Sequence, residues 1–325
     1  MEQENDRFLL SNEKLQTIQD LLKENQRDVP AFTDEGICEE FYVPVKDGEL
    51  RVFHHKPEKI EVKRPILFLP GFTANPLTWV DFHKTHQGFA EYFYIESREK
   101  NSSRLKKSKE TSFTVDQCAQ DLRDVIKYLG FANRDYVLHG SSYGGAIVLQ
   151  SLIRRYINPP TAIVFDPIAL WVYGGPIIHA IIQIIPPNIL GKLRLLITRI
   201  ALRSMKNKEQ KKRMIEFIKG GDIIKFQRST KQNRKFNIID KLQRIDNEVF
   251  VFTGPLDKYH PRIAYYSYAK EIPKGRFFFM ETEEKQRQLL AGLIATAFSK
   301  VSSDEGVPQI LLPFEISIDR SKGEK

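Results

Sequence analysis

The stretch YVLHGSSYGGAIVLQ, residues 136–150, governs how the rest of the chain is read. An apolar strand runs into Gly140, Ser141, Ser142, Tyr143, Gly144 and Gly145, and an amphipathic helix follows. Small residues on both sides of Ser142 are what a sharp strand-to-helix turn demands, because backbone segments approach too closely there for larger side chains. Such a turn lifts the serine hydroxyl to a helix N-terminus, where N–H groups favour negative charge. A glycine-rich packing turn is the bland alternative.

On either side of this stretch, short apolar runs alternate with helical segments, the pattern of a largely parallel sheet. EEFYVPV and ELRVFHH flank Lys46-Asp47-Gly48, whose Asp-Gly pair signals a hairpin. PILFL, YFYI, YVL, TAIVF, VFVFT and RFFFM follow, giving eight expected strands. A helix is predicted from Val115 to Leu129, with Cys118, Leu122, Val125 and Ile126 on one face, and another from Glu13 to Glu24. The interval from Pro167 to Glu248 is too long for an ordinary crossover and is predicted to be a helical cap. The expected organisation is an N-terminal helical extension (1–38), an α/β core (39–166 and 249–301), the cap (167–248), and an irregular or partly ordered C-terminal extension (302–325).

Composition sets further bounds. Of 325 residues, 41% are hydrophobic and 28% charged, as in a globular protein, so overall disorder is excluded. The formal charge of +9 is local: residues 191–235 carry fifteen Lys or Arg and three Asp or Glu, leaving 35 basic and 38 acidic residues elsewhere. Cys38 and Cys118 are too few for a disulfide framework and read as reduced. The N-terminal MEQENDRFLL lacks a basic region followed by an apolar run, so a cytoplasmic location is expected. Between Pro167 and Gly191 the one clean apolar run, Ile177–Ile185, is too short to span a bilayer.

PILFLPGFTANPLTW, residues 65–79, is a strand ending in Pro70-Gly71-Phe72, and VFVFTGPLD places Asp257 just beyond a later strand. Together with Ser142, these features resemble the α/β-hydrolase superfamily over about Glu39 to Val301, with Pro70 where that family often has histidine. The resemblance implies an α/β-hydrolase fold, with a mostly parallel eight-stranded sheet flanked by helices. It further implies Ser142 as nucleophile, the backbone N–H groups of Phe72 and Tyr143 as oxyanion hole, and Asp257 as triad acid. Asp166, after TAIVF, is the alternative acid. A serine nucleophile argues against the branches that use aspartate.

The base is missing from its usual place. The family carries its histidine in a loop after the last strand, whereas RFFFMETEEKQRQLLAGLIATAF passes from strand to helix with none. A serine hydroxyl is a poor nucleophile without a base about 3 Å away. Only His179 and His260 follow Ser142. His260 stands three residues after Asp257, very close for an imidazole that must bridge Asp257 to Ser142, and His179 lies in the apolar part of the cap. His139 is expected to be buried beside the turn, His83 and His86 to follow the Phe72 loop, and His54 and His55 to lie in the hairpin. Lys285 and Glu283 occupy the shortened turn, which is too polar to desolvate a lysine base.

No metal-ligand spacing, P-loop or dinucleotide fingerprint occurs, so no metal or nucleotide cofactor is expected. The apolar half of the cap, LWVYGGPIIHAIIQIIPPNIL, suits the wall of a pocket for an acyl group or another small apolar ligand. The basic half reads first as a solvated helix face and second as a contact for an anionic membrane surface, with nucleic acid ranked lower. Two functions compete: an esterase or lipase-like serine hydrolase working through an acyl-serine intermediate, and a non-catalytic binding or scaffold protein on the same fold. An acyltransferase or lyase is a third, smaller class.

Overall fold

In the computed structural model, residues 8–171, 185–187, 189–192, 211, 215, 221–255 and 262–320 are described. The hairpin forms as its Asp-Gly turn requires. Strand β1 (Glu39–Val45) and β2 (Gly48–His55) pair antiparallel, with Asp47 at φ 66°. Then come β3 (Ile66–Leu69), the short helix α2 (Val80–Lys84) and β4 (Tyr92–Ile95), α1 (Asn12–Glu24) having preceded the hairpin. A two-residue strand, β5 (Arg104–Leu105), leads to α3 (Val115–Tyr128), β6 (Val137–Ser141), α4 (Tyr143–Ile153) and β7 (Thr161–Phe165). Beyond the cap interval stand α5 (Ile223–Gln232), β8 (Val249–Pro255), α6 (Arg262–Glu271), β9 (Gly275–Thr282), α7 (Arg287–Ser299) and β10 (Glu315–Ile316).

All eight strands expected from the sequence are present. Among the described residues they join one sheet in the order β1-β2-β4-β3-β6-β7-β8-β9-β10, with β5 paired to β2. From β4 to β9 every neighbouring pair is parallel, and the edges are antiparallel. Strands covered on both faces must be apolar throughout, and β3, β4, β6 and β7 are buried at every position. One face packs Leu67, Leu138 and Val164 against α3, α4 and α6; the other packs Phe68, Ile163 and Phe252 against α1, α2 and α7. Each such aliphatic or phenyl side chain contributes about 1.5–3 kcal/mol on leaving water.

One helix differs from expectation. Helix α4 is buried at every residue and so is not amphipathic, because α3 and β7 enclose it as well as β6. The tail beyond Ser302 docks firmly: Leu311 and Phe314 are buried, and β10 adds to the edge of β9, where Arg276 forms a bidentate pair with Glu315 at 2.7 and 2.6 Å. Both cysteines are free, and burial pushes the Cys118 thiol up to about 12, as an inert core residue requires. Of the apolar half of the cap, residues 172–184 and 188 lie outside the described residues. No helix among the described residues is long and apolar enough to cross a membrane.

Candidate active site

The turn between β6 and α4 sits at the carboxyl end of the parallel strands, where open α/β sheets place their ligands. Ser142 has φ 51° and ψ −110°, a backbone conformation that costs a non-glycine residue about 1–3 kcal/mol and persists only where its surroundings fix it. Those surroundings are explicit. Its N–H donates to Phe165 O at 2.9 Å, while its carbonyl accepts from Ala146 N at 3.1 Å and Ile168 N at 3.3 Å. The glycines follow from contact distances: a Cβ on Gly140 would lie 2.6 Å from Gly144 O, and one on Gly144 2.1 Å from Leu69 O. Ser142 itself stays partly exposed while its neighbours Ser141 and Tyr143 are buried.

The loop after β3 lies against this serine, since a Cβ built on Gly71 would be 3.6 Å from Ser142 Cβ. Its anchoring involves residues that sequence reasoning missed. After β4 the run Glu96-Ser97-Arg98-Glu99-Lys100 is buried despite its charge. Lys100 Nζ donates to Gly71 O at 2.5 Å and pairs with Glu99 at 2.8 Å. Glu99 Oε1 also accepts from Thr73 N at 3.2 Å and Ser97 Oγ at 2.9 Å. Gly71 O and the Phe72 N–H belong to one trans peptide, so gripping the carbonyl fixes the direction of the amide on the opposite side. Tyr143 is the first residue of α4, so its N–H has no carbonyl partner within the helix. The Phe72 ring meets Tyr143, Trp171 and Phe226 at 5.0, 5.2 and 5.4 Å, an aromatic wall beside the turn.

Asp166 follows β7 with φ 45° and is fully buried. Its Oδ1 accepts from Thr253 Oγ1 at 2.5 Å, and its Oδ2 lies 2.8 Å from Arg287 Nη2. Arg287 opens α7, directly after the shortened turn in which Glu283 and Lys285 pair with each other at 2.9 Å. A guanidinium therefore stands at the start of the helix after β9, near the place where an imidazole was sought, and it engages the alternative acid.

Five histidines are described, and each is engaged elsewhere. His54 bonds Glu91 at 2.9 Å, and His55 bonds Ile37 O at 2.6 Å. His83 bonds the Tyr92 hydroxyl at 3.1 Å, and His86 bonds Thr85 Oγ1 at 3.0 Å. His139 lies edge-on to Phe68 at 5.4 Å, on the face of β6 that packs against α2 and α7. Burial pushes His83 and His139 down to about 3 and lowers His86 as well, so all three are neutral at pH 7. Among the described residues no histidine bonds the Ser142 hydroxyl. Asp257, His260 and His179 lie outside the described residues. No group of described side chains could hold a metal ion.

No protein-family model matches the sequence, and no curated protein matches it. Solved structures do. An esterase from Thermogutta terrifontis aligns over 80% of this chain and 96% of its own, at 15% identity and a TM-score of 0.60. A hydrolase from Pseudomonas aeruginosa PA01 covers 80% and 98% at 13% identity and 0.60. A membrane phospholipase A described as a bacterial virulence factor covers 86% and 90% at 14% identity and 0.56. Strand order, the turn at Ser142 and these likenesses together show that the chain has the α/β-hydrolase fold.

Proposed function

We propose that the chain is a serine hydrolase that cleaves an ester-type bond in a small apolar substrate. The observation that carries this reading is the strained Ser142 backbone set against a loop locked by Lys100 and Glu99. Ser142 attacks the carbonyl carbon, the amides of Phe72 and Tyr143 receive the oxyanion, and the acyl group lies along the wall of Phe72, Trp171 and Phe226. Asp257 is the proposed acid, since Asp166 is taken by Arg287 and Thr253. His260, three residues after Asp257 in the sequence, is the imidazole to test. The esterases and the phospholipase among the structural neighbours support the same reaction class.

The second reading, a non-catalytic binding protein, is favoured by the Asp166–Arg287 pair beside the turn that lost its histidine. A fluorophosphonate probe separates the two. The hydrolase reading expects covalent labelling of the wild type, none of Ser142→Ala, and slowed labelling of His260→Ala. An unlabelled wild type that also leaves short- and medium-chain acyl esters intact would overturn it.

A further inference from the structure

A groove of about 860 Å³ opens between the loop after β4 and helix α5. Its cations come from two parts of the chain that are far apart in sequence. Strand β5 and the loop after it supply Arg104, Lys106, Lys107 and Lys109. Helix α5 supplies Lys225, Arg228 and Lys231. Among the described residues the one carboxylate in the lining is Asp222, and it is occupied in capping α5 by accepting from Ile224 N at 2.8 Å and Lys225 N at 2.9 Å. Among the described residues, Lys106, Lys107, Lys109 and Lys231 have no carboxylate partner, while Arg104 has Glu49 at 3.6 Å.

Two of the groove's cations tie its two sides together. Lys225 Nζ donates to Lys100 O, Ser103 O and Ser103 Oγ at 2.8, 2.6 and 2.8 Å. Arg228 donates to Thr111 O at 2.7 Å and lies over the Phe113 ring at 4.8 Å. Phe113 N in turn donates to Gln232 Oε1 at 2.6 Å. A solvated helix face would spread its charges apart, whereas here two segments are held so that their charges converge on one concavity. Positive charge gathered in a concave, low-dielectric wall focuses potential and repels itself until an anion enters.

We propose that this groove is a binding site for a compact, multiply phosphorylated ligand, one carrying at least two phosphoryl groups. Its volume falls in the range of small-molecule sites, roughly 300–1,000 Å³, and its cations ring a hollow. Recognition of extended nucleic acid would call for exposed aromatic platforms, and among the described residues the one aromatic in the lining, Phe113, is buried beneath Arg228. The phosphoryl groups belong either to a soluble polyphosphate or to a phosphorylated lipid headgroup. The site does not depend on catalysis at Ser142.

Inorganic tripolyphosphate titrated into the full chain at physiological salt tests the proposal by calorimetry. Saturable binding below about 1 mM is expected, weakened about tenfold or more by Lys106→Glu/Lys109→Glu/Lys231→Glu. A control with the same charge change outside the groove, Lys23→Glu/Lys127→Glu/Lys274→Glu, is expected to bind as the wild type does. All six side chains are exposed, so thermal unfolding of both variants should match that of the wild type. Phosphatidylcholine vesicles containing a bisphosphorylated inositol lipid identify the source. Vesicle binding that tripolyphosphate competes away points to a headgroup, and tripolyphosphate binding without vesicle binding points to a soluble ligand; both support the site. Absence of tripolyphosphate binding, equal loss in the control variant, equal binding to phosphatidylserine vesicles of matched charge, or tighter binding of a short DNA duplex would each overturn it.

Discussion

At the scale of single residues, the glycines around Ser142 are set by sterics that act over a few positions. That is why the turn was readable from residues 140–145 alone. Gly144 is the most constrained, because its Cα faces the end of β3 and a methyl group there would press on Leu69 O at 2.1 Å. Gly144→Ala is expected to destabilise the chain by about 3 kcal/mol in urea unfolding, since the backbone on both sides must move. Gly191→Ala, whose new carbon meets no described atom outside its own stretch of chain within 4 Å, should show no loss. Asp166 shows the opposite limit of legibility. Its place after TAIVF marked it as an alternative acid, but nothing in the local sequence announced that Arg287 would reach it.

At the scale of elements, strands of four or more residues were legible and two-residue strands were not. Arg104–Leu105 and Glu315–Ile316 are too short to show a period of two, and only pairing with β2 and β9 makes them strands. The buried run after β4 was hidden for a related reason. Its five residues carry the polarity of a surface turn, and Lys100 meets Gly71 across 29 residues of sequence. Removing one partner of the Glu99–Lys100 pair should reveal its role. Lys100→Met leaves a buried carboxylate unpaired and is expected to cost about 3–5 kcal/mol in urea unfolding. Glu99→Gln/Lys100→Met should recover most of that stability. The double variant still lacks the grip on Gly71 O, so fluorophosphonate labelling is expected to slow about tenfold or more while the fold persists.

At the scale of the whole molecule, the two faces of the sheet differ in their polar content, and the face against α2 and α7 holds three neutral histidines. His83 and His139 are pushed by burial to about 3 and His86 is lowered too, whereas an unfolded chain protonates its histidines near pH 6.5. The unfolded state therefore binds more protons as pH falls below about 6.5. Their contribution to stability is complete above that pH and is lost progressively towards pH 3. His139→Leu is expected to flatten this acid limb by about 1.4 kcal/mol per pH unit between about pH 6 and 4, as read from urea midpoints across a pH series. The fold class was legible because alternating apolar strands and helices recur along the chain. The direction of each histidine was not, because which face of β6 turns inward depends on packing from α2 and α7. Asp166 at the end of β7 and Arg287 at the start of α7 are chemically interlocked, and the carboxylate is fully buried. An imidazole put in place of Arg287 could still donate one N–H to Asp166, but it lacks the fork of donors and the permanent charge of a guanidinium, so the clasp joining the end of β7 to the start of α7 would loosen without being lost.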